Sequence, residues 1–396
     1  MAYRLEQWLC RVAEKLKSFD IGIACLLGCL YFLAVPLTIT VNDSGNSMLK
    51  LLTLPIGGYL AVSLFFYRKS IELNLVHLGS FLYLLTIVAT LYVDGSSLAV
   101  RYVIGYVQTF GLLFLMTLRR YTANEIKAFE LAQIGLLGIM IALGFIGADW
   151  GGGRNTLKLF GATCDPNYFV GFYLLPMAVA LKKLWESRLY ALPCAVMFAL
   201  GAYIVVSSGS RGGLLALIVT VLSFVFFNAK SGKQRLAGIV AAVFGAVLFW
   251  TVVLPLLPES VSSRFALQAI LESRGTGRVD IWLSMLETIS ESKWELFLGR
   301  GVLAQHEFFL GGQMAKWAAH NQFIQALYNQ GIPGLLVFLL MSFGAVFRNI
   351  KKRPHIAAAM LGMLALCMTL TINTSIKTFW NLLIYAALSF DEPEKD

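Results

Sequence analysis

Three side chains in the sequence have types and neighbours suited to phosphate binding and proton transfer. Arg211 lies in the small-residue sequence GSRGG at 209–213, which lets a ligand approach the backbone, and its forked guanidinium can bind a phosphate through two hydrogen bonds. Arg278 follows GTG at 275–277 at a predicted helix start, where a cation opposes the helix dipole unless an anion is also bound. His320 begins an apolar segment, and nearby arginines would keep its imidazole neutral and able to accept a proton near pH 7. Two permanent cations and one base suit a reaction at a diphosphate.

Each of these residues also has a plainer interpretation. Arg211 could be an interfacial arginine that extends its charge to water, and Arg278 could form a surface ion pair with Asp280 or Glu272. An isolated histidine such as His320 is more often structural than catalytic. Polar residues in the same segments are secondary candidates for sugar or phosphate contacts: Asn321, Arg300, Arg154, Asp165, Asn167 and Asp280.

The composition indicates that these residues belong to a membrane protein. Of the 396 residues, 58% are apolar and 14% are charged, and the mean hydropathy of +0.72 excludes a water-soluble enzyme, which typically has about 25% charged residues. The net charge of +10 would suggest a nucleic-acid partner in a soluble domain. In a membrane protein it sets orientation instead, so no nucleic-acid partner is predicted.

Twelve apolar runs are long enough to cross a bilayer as helices, which requires about 20 residues each. We therefore predict an all-α polytopic protein. The predicted spans lie at 21–41, 48–67, 75–92, 98–118, 126–147, 167–184, 189–207, 212–228, 236–257, 321–347, 355–372 and 376–390.

The distribution of basic residues predicts the orientation of these spans. With the N-terminus inside, 20 of the 32 Lys and Arg residues fall in inner segments and 12 fall in outer segments. Cytoplasmic loops normally carry such an excess, so both termini are predicted to be cytoplasmic. Residues 1–20 have the pattern of an amphipathic helix on the inner leaflet, and residues 391–396 are predicted to form an inner tail.

Residues 258–319 are predicted to be a structured outer loop between the ninth and tenth spans. The loop separates spans 1–9, at 21–257, from spans 10–12, at 320–390. Its stretch RVDIWLSMLET at 278–288 predicts an external helix that packs through Val279, Trp282, Leu283 and Leu286. The following span should be kinked at GIPG, 331–334.

The placement of ionisable residues argues against an ion-coupled transporter. Such carriers keep acids or lysines deep in their spans, whereas Glu130 is the one carboxylate inside a predicted span, near its inner end. The six cysteines have no zinc-ligand spacing, and we predict neither a metal site nor a cofactor.

Three motifs resemble the O-antigen ligase and O-antigen polymerase family of bacterial membrane glycosyltransferases. They are GSRGGLLAL at 209–217, GTGRVDIW at 275–282 and HNQFIQALYNQGIPGLLVF at 320–338, and the resemblance extends over residues 150–345. It implies a fold of the GT-C class. It also implies that Arg211 and Arg278 correspond to the family's two essential arginines and His320 to its histidine.

The resemblance implies a reaction at the outer face of the bacterial cytoplasmic membrane. The donor would be an oligosaccharide on undecaprenyl diphosphate, the acceptor a glycan or glycolipid, and a chain-length regulator is an additional candidate partner. Arg211 and Arg278 would bind the diphosphate, His320 would deprotonate the acceptor hydroxyl, and the anomeric centre would be inverted without a metal.

Four functions remain open on the sequence. A polymerase of O-antigen, capsular or exopolysaccharide repeats is favoured over a ligase, because the loop 258–319 has six basic and seven acidic residues and poorly matches a phosphate-rich lipid A core. A lipid-linked oligosaccharide flippase would place basic residues along a central cavity and show two related halves. We find no such repeat. A membrane scaffold would leave the three candidate residues unexplained.

Overall fold

Helices form at all twelve predicted apolar segments. The structure, a computed structural model, describes residues 21–40, 47–67, 71–149, 153–266, 277–310, 313–372 and 376–390. The predicted segments 1–20 and 391–396 lie outside these ranges. The twelve helices are α1 Ile23–Ala34, α2 Met48–Phe65, α3 Leu75–Ala89, α4 Ser97–Thr117, α5 Ala123–Ile146, α6 Pro166–Glu186, α7 Arg188–Ser207, α8 Arg211–Asn228, α9 Gly232–Leu248, α13 Gln322–Ile350, α14 Pro354–Cys367 and α15 Thr378–Ala387.

The all-α polytopic class is confirmed by the length and hydropathy of these helices. Within the described ranges, eight helical segments are long and apolar enough to cross a membrane. Three further apolar segments are shorter, at Ile23–Ile39, Pro354–Cys367 and Thr378–Ala387. Helix α6 belongs to neither group, so twelve crossings remain a prediction.

Two short helices, α14 and α15, form the centre of the bundle. Helix α14 packs against α6, α8 and α13, and nearly all side chains of both short helices are buried. Of the chain between them, residues 368–372 and 376–377 are described, and Leu370 and Ile372 are buried in the bundle.

Helices α6, α8 and α13 begin at the same end of the bundle, and we call this end the loop end. It carries three short helices, α10 Glu259–Phe265, α11 Arg278–Ser290 and α12 Lys293–Leu298. It also carries strands that the sequence did not predict. Strands β2 Ala148–Asp149, β3 Thr156–Leu159 and β4 Ala162–Thr163 form one antiparallel sheet, and β5 His306–Leu310 pairs with β6 Gln313–Trp317. At the opposite end, β1 Arg120–Tyr121 pairs with β7 Ser389–Phe390.

The external helix α11 forms as predicted, but the predicted packing face is wrong. Its buried residues are Ile281, Met285 and Ile289, and Trp282 is partly buried beside them. The other members of the predicted stripe, Val279, Leu283 and Leu286, are exposed. Both stripes are apolar at helical spacing, so the pattern alone could not choose between them. The Ile281 stripe is buried because it packs with Ala319 and Tyr328.

Helix α13 is interrupted at Gly331, within the segment where a kink was predicted. Gly331 has φ 68° and ψ −170°, a conformation that is essentially restricted to glycine. The interruption leaves carbonyl groups of α13 without helical partners, and the backbone N–H groups of Arg300 and Gly301 donate to the carbonyls of Tyr328 and Asn329. The kink therefore anchors the loop-end segment after α12 to the bundle.

Replacing Gly331 with alanine should destabilise the protein. The new Cβ would lie 2.2 Å from the Phe297 carbonyl oxygen, and the backbone strain alone costs about 1–3 kcal/mol. We expect a clearly lower Tm for detergent-solubilised protein. Gly111→Ala is the matched control, because no atom lies within 4 Å of its added Cβ. Equal Tm values for the two variants would contradict this account of the kink.

Candidate active site at the loop end

Four arginines line one cavity at the loop end. Arg154, Arg211, Arg264 and Arg278 surround about 170 Å³, and the remaining lining residues include Asn167, Trp282 and Thr369. We call this space the arginine cavity. It contains both arginines of the sequence hypothesis, Arg211 and Arg278, although they lie 67 positions apart in the sequence.

Arg211 is positioned by the tight turn between α7 and α8. Ser210 caps α8, since its Oγ accepts from the Gly213 N–H at 2.9 Å and donates to Asn167 Oδ1 at 2.5 Å. Arg211 Nε donates to the Arg264 carbonyl at 2.7 Å, and Arg264 Nε donates back to the Gly209 carbonyl at 3.0 Å. These reciprocal hydrogen bonds fasten α10 to the turn and hold both guanidinium groups at the cavity.

Arg278 enters the cavity from the start of α11. Gly277 precedes it with φ 76°, and Arg278 Nη1 donates to the Thr369 carbonyl at 3.2 Å. Thr369 in turn packs against Gly212, where an added Cβ would lie 1.9 Å from its Oγ1. The irregular chain after α14 therefore contacts both α8 and α11 and forms a wall of the cavity.

Arg154, the remaining arginine of the cavity, lies in the loop before α6. Its Nε donates to the Ser208 carbonyl at 2.8 Å, and the neighbouring Asn155 N–H donates to the Ser207 carbonyl at 3.0 Å. The loop is thus fastened along the end of α7. Backbone carbonyls, rather than carboxylates, hold one N–H group of each cavity arginine.

The arginine cavity has a strong positive potential. Across the described part of the chain, no carboxylate forms an ion pair with Arg154, Arg264 or Arg278. Burial and the charge of Arg264 lower the pKa of Arg154 to about 10, and Asp165 partly offsets this. Burial also lowers the pKa of Arg278. The cavity further faces the N-terminus of α8, whose dipole favours an anion, so a multiply charged anion is the natural ligand.

His320 lies next to this cavity but is not among its lining residues. Trp282, which does line it, donates its indole N–H to the Ala319 carbonyl at 2.6 Å. His320 has φ 47°, a left-handed conformation that is uncommon for a residue other than glycine. Burial and the charge of Arg278 lower its pKa from 6.5, and Asp165 acts in the opposite direction. The imidazole is therefore neutral at pH 7 and can accept a proton.

The secondary candidates are divided between the cavity and its surroundings. Arg154 and Asn167 line the arginine cavity. Asp165 caps α6 through the Asn167 N–H at 2.8 Å, and its charge acts on Arg278 and His320. Asn321 caps α13 by accepting from the Phe323 and Ile324 N–H groups.

Two other secondary candidates, Arg300 and Asp280, do not line the arginine cavity. Arg300 pairs with Glu295 at 3.1 Å and lies over the ring of Tyr328. Asp280 is exposed in the first turn of α11. The plainer interpretation of Arg278 as a partner of Asp280 is not observed, since Arg278 bonds to the Thr369 carbonyl instead.

The sequence hypothesis missed Arg264. The signal available for it was weak: Arg264 is one of the six basic residues of the predicted outer loop, where cations are disfavoured unless they have a function. Its contact with the 209–211 turn depends on the fold of α10. For metals, the described residues contain no group of three His, Cys, Asp or Glu side chains that could hold an ion.

Comparison with known families agrees with the motifs around this site. Curated proteins give no match to the chain. The family model for O-antigen ligase matches residues 196–339, a range that contains Arg211, Arg264, Arg278 and His320. This segment of the chain is therefore similar to the O-antigen ligase family of membrane proteins.

Proposed function

We propose that this protein transfers a glycan from undecaprenyl diphosphate to a sugar hydroxyl, and that it polymerises the repeat units of an O-antigen, capsular polysaccharide or exopolysaccharide. The observation that carries the proposal is the cavity of four arginines beside a neutral histidine. A diphosphate needs concentrated positive charge, and a sugar hydroxyl needs a base. The match of residues 196–339 to the O-antigen ligase family model supports a glycosyltransferase of this general type.

In the proposed reaction, the acceptor hydroxyl attacks the anomeric carbon of the donor sugar directly. The new bond joins the acceptor oxygen to that carbon, the bond from the carbon to the diphosphate oxygen breaks, and the anomeric centre is inverted. Arg211 and Arg278 bind the diphosphate and stabilise the charge that develops on it as it leaves. His320 takes the proton from the acceptor hydroxyl. The products are an extended glycan and undecaprenyl diphosphate.

We further propose that the loop end faces outward from the bacterial cytoplasmic membrane, with both termini in the cytoplasm. The distribution of Lys and Arg supports this orientation, since 20 of 32 fall in the predicted inner segments. Lipid-linked donor and acceptor would then approach from the bilayer, and a chain-length regulator remains a candidate partner. The apolar surfaces between helices would accommodate the polyprenyl tail.

Purified protein tests the proposed reaction when it is given undecaprenyl-diphosphate-linked repeat units in detergent. We expect longer lipid-linked glycans and released undecaprenyl diphosphate, because donor and acceptor are then both present. Arg211→Ala should form both products about 10²–10³-fold more slowly. Arg101→Gln is the matched control, since Arg101 is exposed near the start of α4 and its Nε donates to the Ser97 carbonyl of the same helix.

Other outcomes would identify the alternatives. Transfer to added lipid A core without elongation would replace the polymerase with a ligase. Movement of the lipid-linked glycan across liposome membranes without any new glycosidic bond would contradict an enzyme and indicate a flippase.

A further inference from the structure

A second cavity lies beside the arginine cavity at the loop end. It has a volume of about 200 Å³, and we call it the amide cavity because side-chain amides of α13 form one wall. Tyrosines of α3 and α4 form the opposite wall, and Thr371 lies between them. The lining includes Tyr102, Tyr106, Gln322, Gln325, Asn329 and Thr371.

The lining of the amide cavity is polar but uncharged. None of its described lining residues is Asp, Glu, Lys, Arg or His, whereas the neighbouring cavity has four arginines. Phenol, hydroxyl and amide groups both donate and accept hydrogen bonds, as sugar hydroxyls do. Its volume lies below the roughly 300–1,000 Å³ of pockets for drug-sized ligands. This combination suits a single neutral sugar ring and is a poor match for a phosphate.

The amide groups are held in fixed orientations by one another and by the backbone. Gln325 Nε2 donates to Asn329 Oδ1 at 2.7 Å, and Gln325 Oε1 accepts from the Ala319 N–H at 2.8 Å. Gln322 Oε1 accepts from the Ile372 N–H at 2.7 Å. The wall is therefore rigid before any ligand binds, which reduces the entropy lost on binding.

Three hydroxyl groups in the cavity have unused hydrogen-bonding capacity. Thr371 Oγ1 is buried and has no hydrogen-bond partner among the residues that the structure describes. The hydroxyls of Tyr102 and Tyr106 likewise make no hydrogen bond to the described part of the chain, although the two rings contact each other. Tyr83, by contrast, accepts from Gln322 and Gln330. A buried polar group without a partner costs free energy, and a sugar hydroxyl would supply the partner.

The chain around His320 connects the two cavities. Ala318 and Gln322 line the amide cavity on either side of His320 in sequence, and Ala319 accepts the hydrogen bond from Trp282 of the arginine cavity. A second connection is the irregular chain after α14, where Thr369 lines the arginine cavity and Thr371 lines the amide cavity. A sugar in the amide cavity would thus lie on the opposite side of His320 from a diphosphate among the arginines.

We infer that the amide cavity binds the terminal sugar of the acceptor, and that this sugar is uncharged. The inference rests on the proposed function, because it divides donor and acceptor between two cavities that lie on either side of the chain around His320. It specifies the class of acceptor: a neutral saccharide end rather than a phosphorylated one. That class is expected for a repeat-unit polymerase and not for transfer to a phosphate-rich core.

Saturation-transfer NMR on detergent-solubilised protein tests the inference with p-nitrophenyl hexosides as neutral probes. The wild type should bind at least one of these hexosides. The double variant Tyr102→Phe/Tyr106→Phe should bind it about fivefold more weakly or worse, because each lost hydrogen bond is worth roughly 0.5–1.5 kcal/mol. Thr371→Val, a nearly isosteric change, should weaken binding in the same direction. Tyr203→Phe is the control, since its ring lies on the bundle surface against Phe145.

A parallel measurement with farnesyl diphosphate separates this inference from the proposed function. The double variant Tyr102→Phe/Tyr106→Phe should bind farnesyl diphosphate as tightly as the wild type does, and this binding would also show that the variant is folded. Arg211→Gln should not bind farnesyl diphosphate. The acceptor assignment is overturned if Arg211→Gln loses farnesyl diphosphate binding but the wild type binds no hexoside. It is also overturned if the tyrosine double variant binds hexosides as tightly as the wild type does. If farnesyl diphosphate binding is unaffected by Arg211→Gln, the proposed donor site fails instead.

Discussion

Replacing His320 with alanine is expected to lower kcat for glycan transfer by about 10²–10⁴-fold, the usual contribution of a general base. The imidazole is neutral at pH 7, because burial and the charge of Arg278 lower its pKa. His320 directly follows Ala319, whose carbonyl accepts the indole N–H of Trp282 in the arginine cavity. Initial rates of elongation in detergent, with donor binding measured separately, would check this. Normal kcat in a folded His320→Ala protein would contradict the assignment.

The pH dependence of kcat/KM for the wild type should also show that His320 acts as the general base. A general base works only when it is unprotonated, so kcat/KM should be constant at neutral pH and fall as the pH drops through the His320 pKa, which lies below 6.5. His320→Gln cannot titrate and should lose this limb of the profile along with most of its rate. If the variant kept the acidic limb, another group would have to be the base.

The second large effect is expected for the cavity arginines. Arg278→Ala and Arg211→Ala should each lower kcat by about 10²–10³-fold, as found when one donor to a developing oxyanion is removed. Arg211→Lys keeps the charge but loses the planar fork, so it should restore only part of the activity. Full activity of Arg211→Lys would argue against bidentate binding of the diphosphate.

Arg264 is a less suitable target for this test. Its Nε hydrogen bond to the Gly209 carbonyl supports the turn that carries Arg211, so removing it would change the position of another arginine as well as one charge. Arg101→Gln is the appropriate control for charge at the loop end, because Arg101 lines neither cavity.

Much of the helical architecture could be predicted from the sequence, because each helix reflects a local apolar run. All twelve runs became helices, and the GIPG segment became the break at Gly331. The buried face of α11 could not be predicted in this way. Its two apolar stripes are equivalent until Ala319 and Tyr328 pack against one of them.

The candidate site was predictable where a motif supplied the residue and not where folding brought distant segments together. Arg211, Arg278 and His320 stand in recognisable sequence contexts. Arg264 becomes part of the cavity only because α10 packs against the turn before α8. The amide wall was present in the sequence as Gln322, Gln325 and Asn329 at helical spacing, but the opposing tyrosines lie more than 200 positions earlier, and no local pattern links them.

The most direct test of the central claim is equilibrium binding of undecaprenyl diphosphate to the protein in lipid nanodiscs. Hydrogen bonds to charged groups contribute about 1.5–3 kcal/mol each, so Arg211→Gln/Arg278→Gln should bind at least about 100-fold more weakly than the wild type, with Arg101→Gln unchanged. Undecaprenyl monophosphate should bind the wild type less tightly. Equal affinity of the wild type and the double variant for undecaprenyl diphosphate would contradict the account.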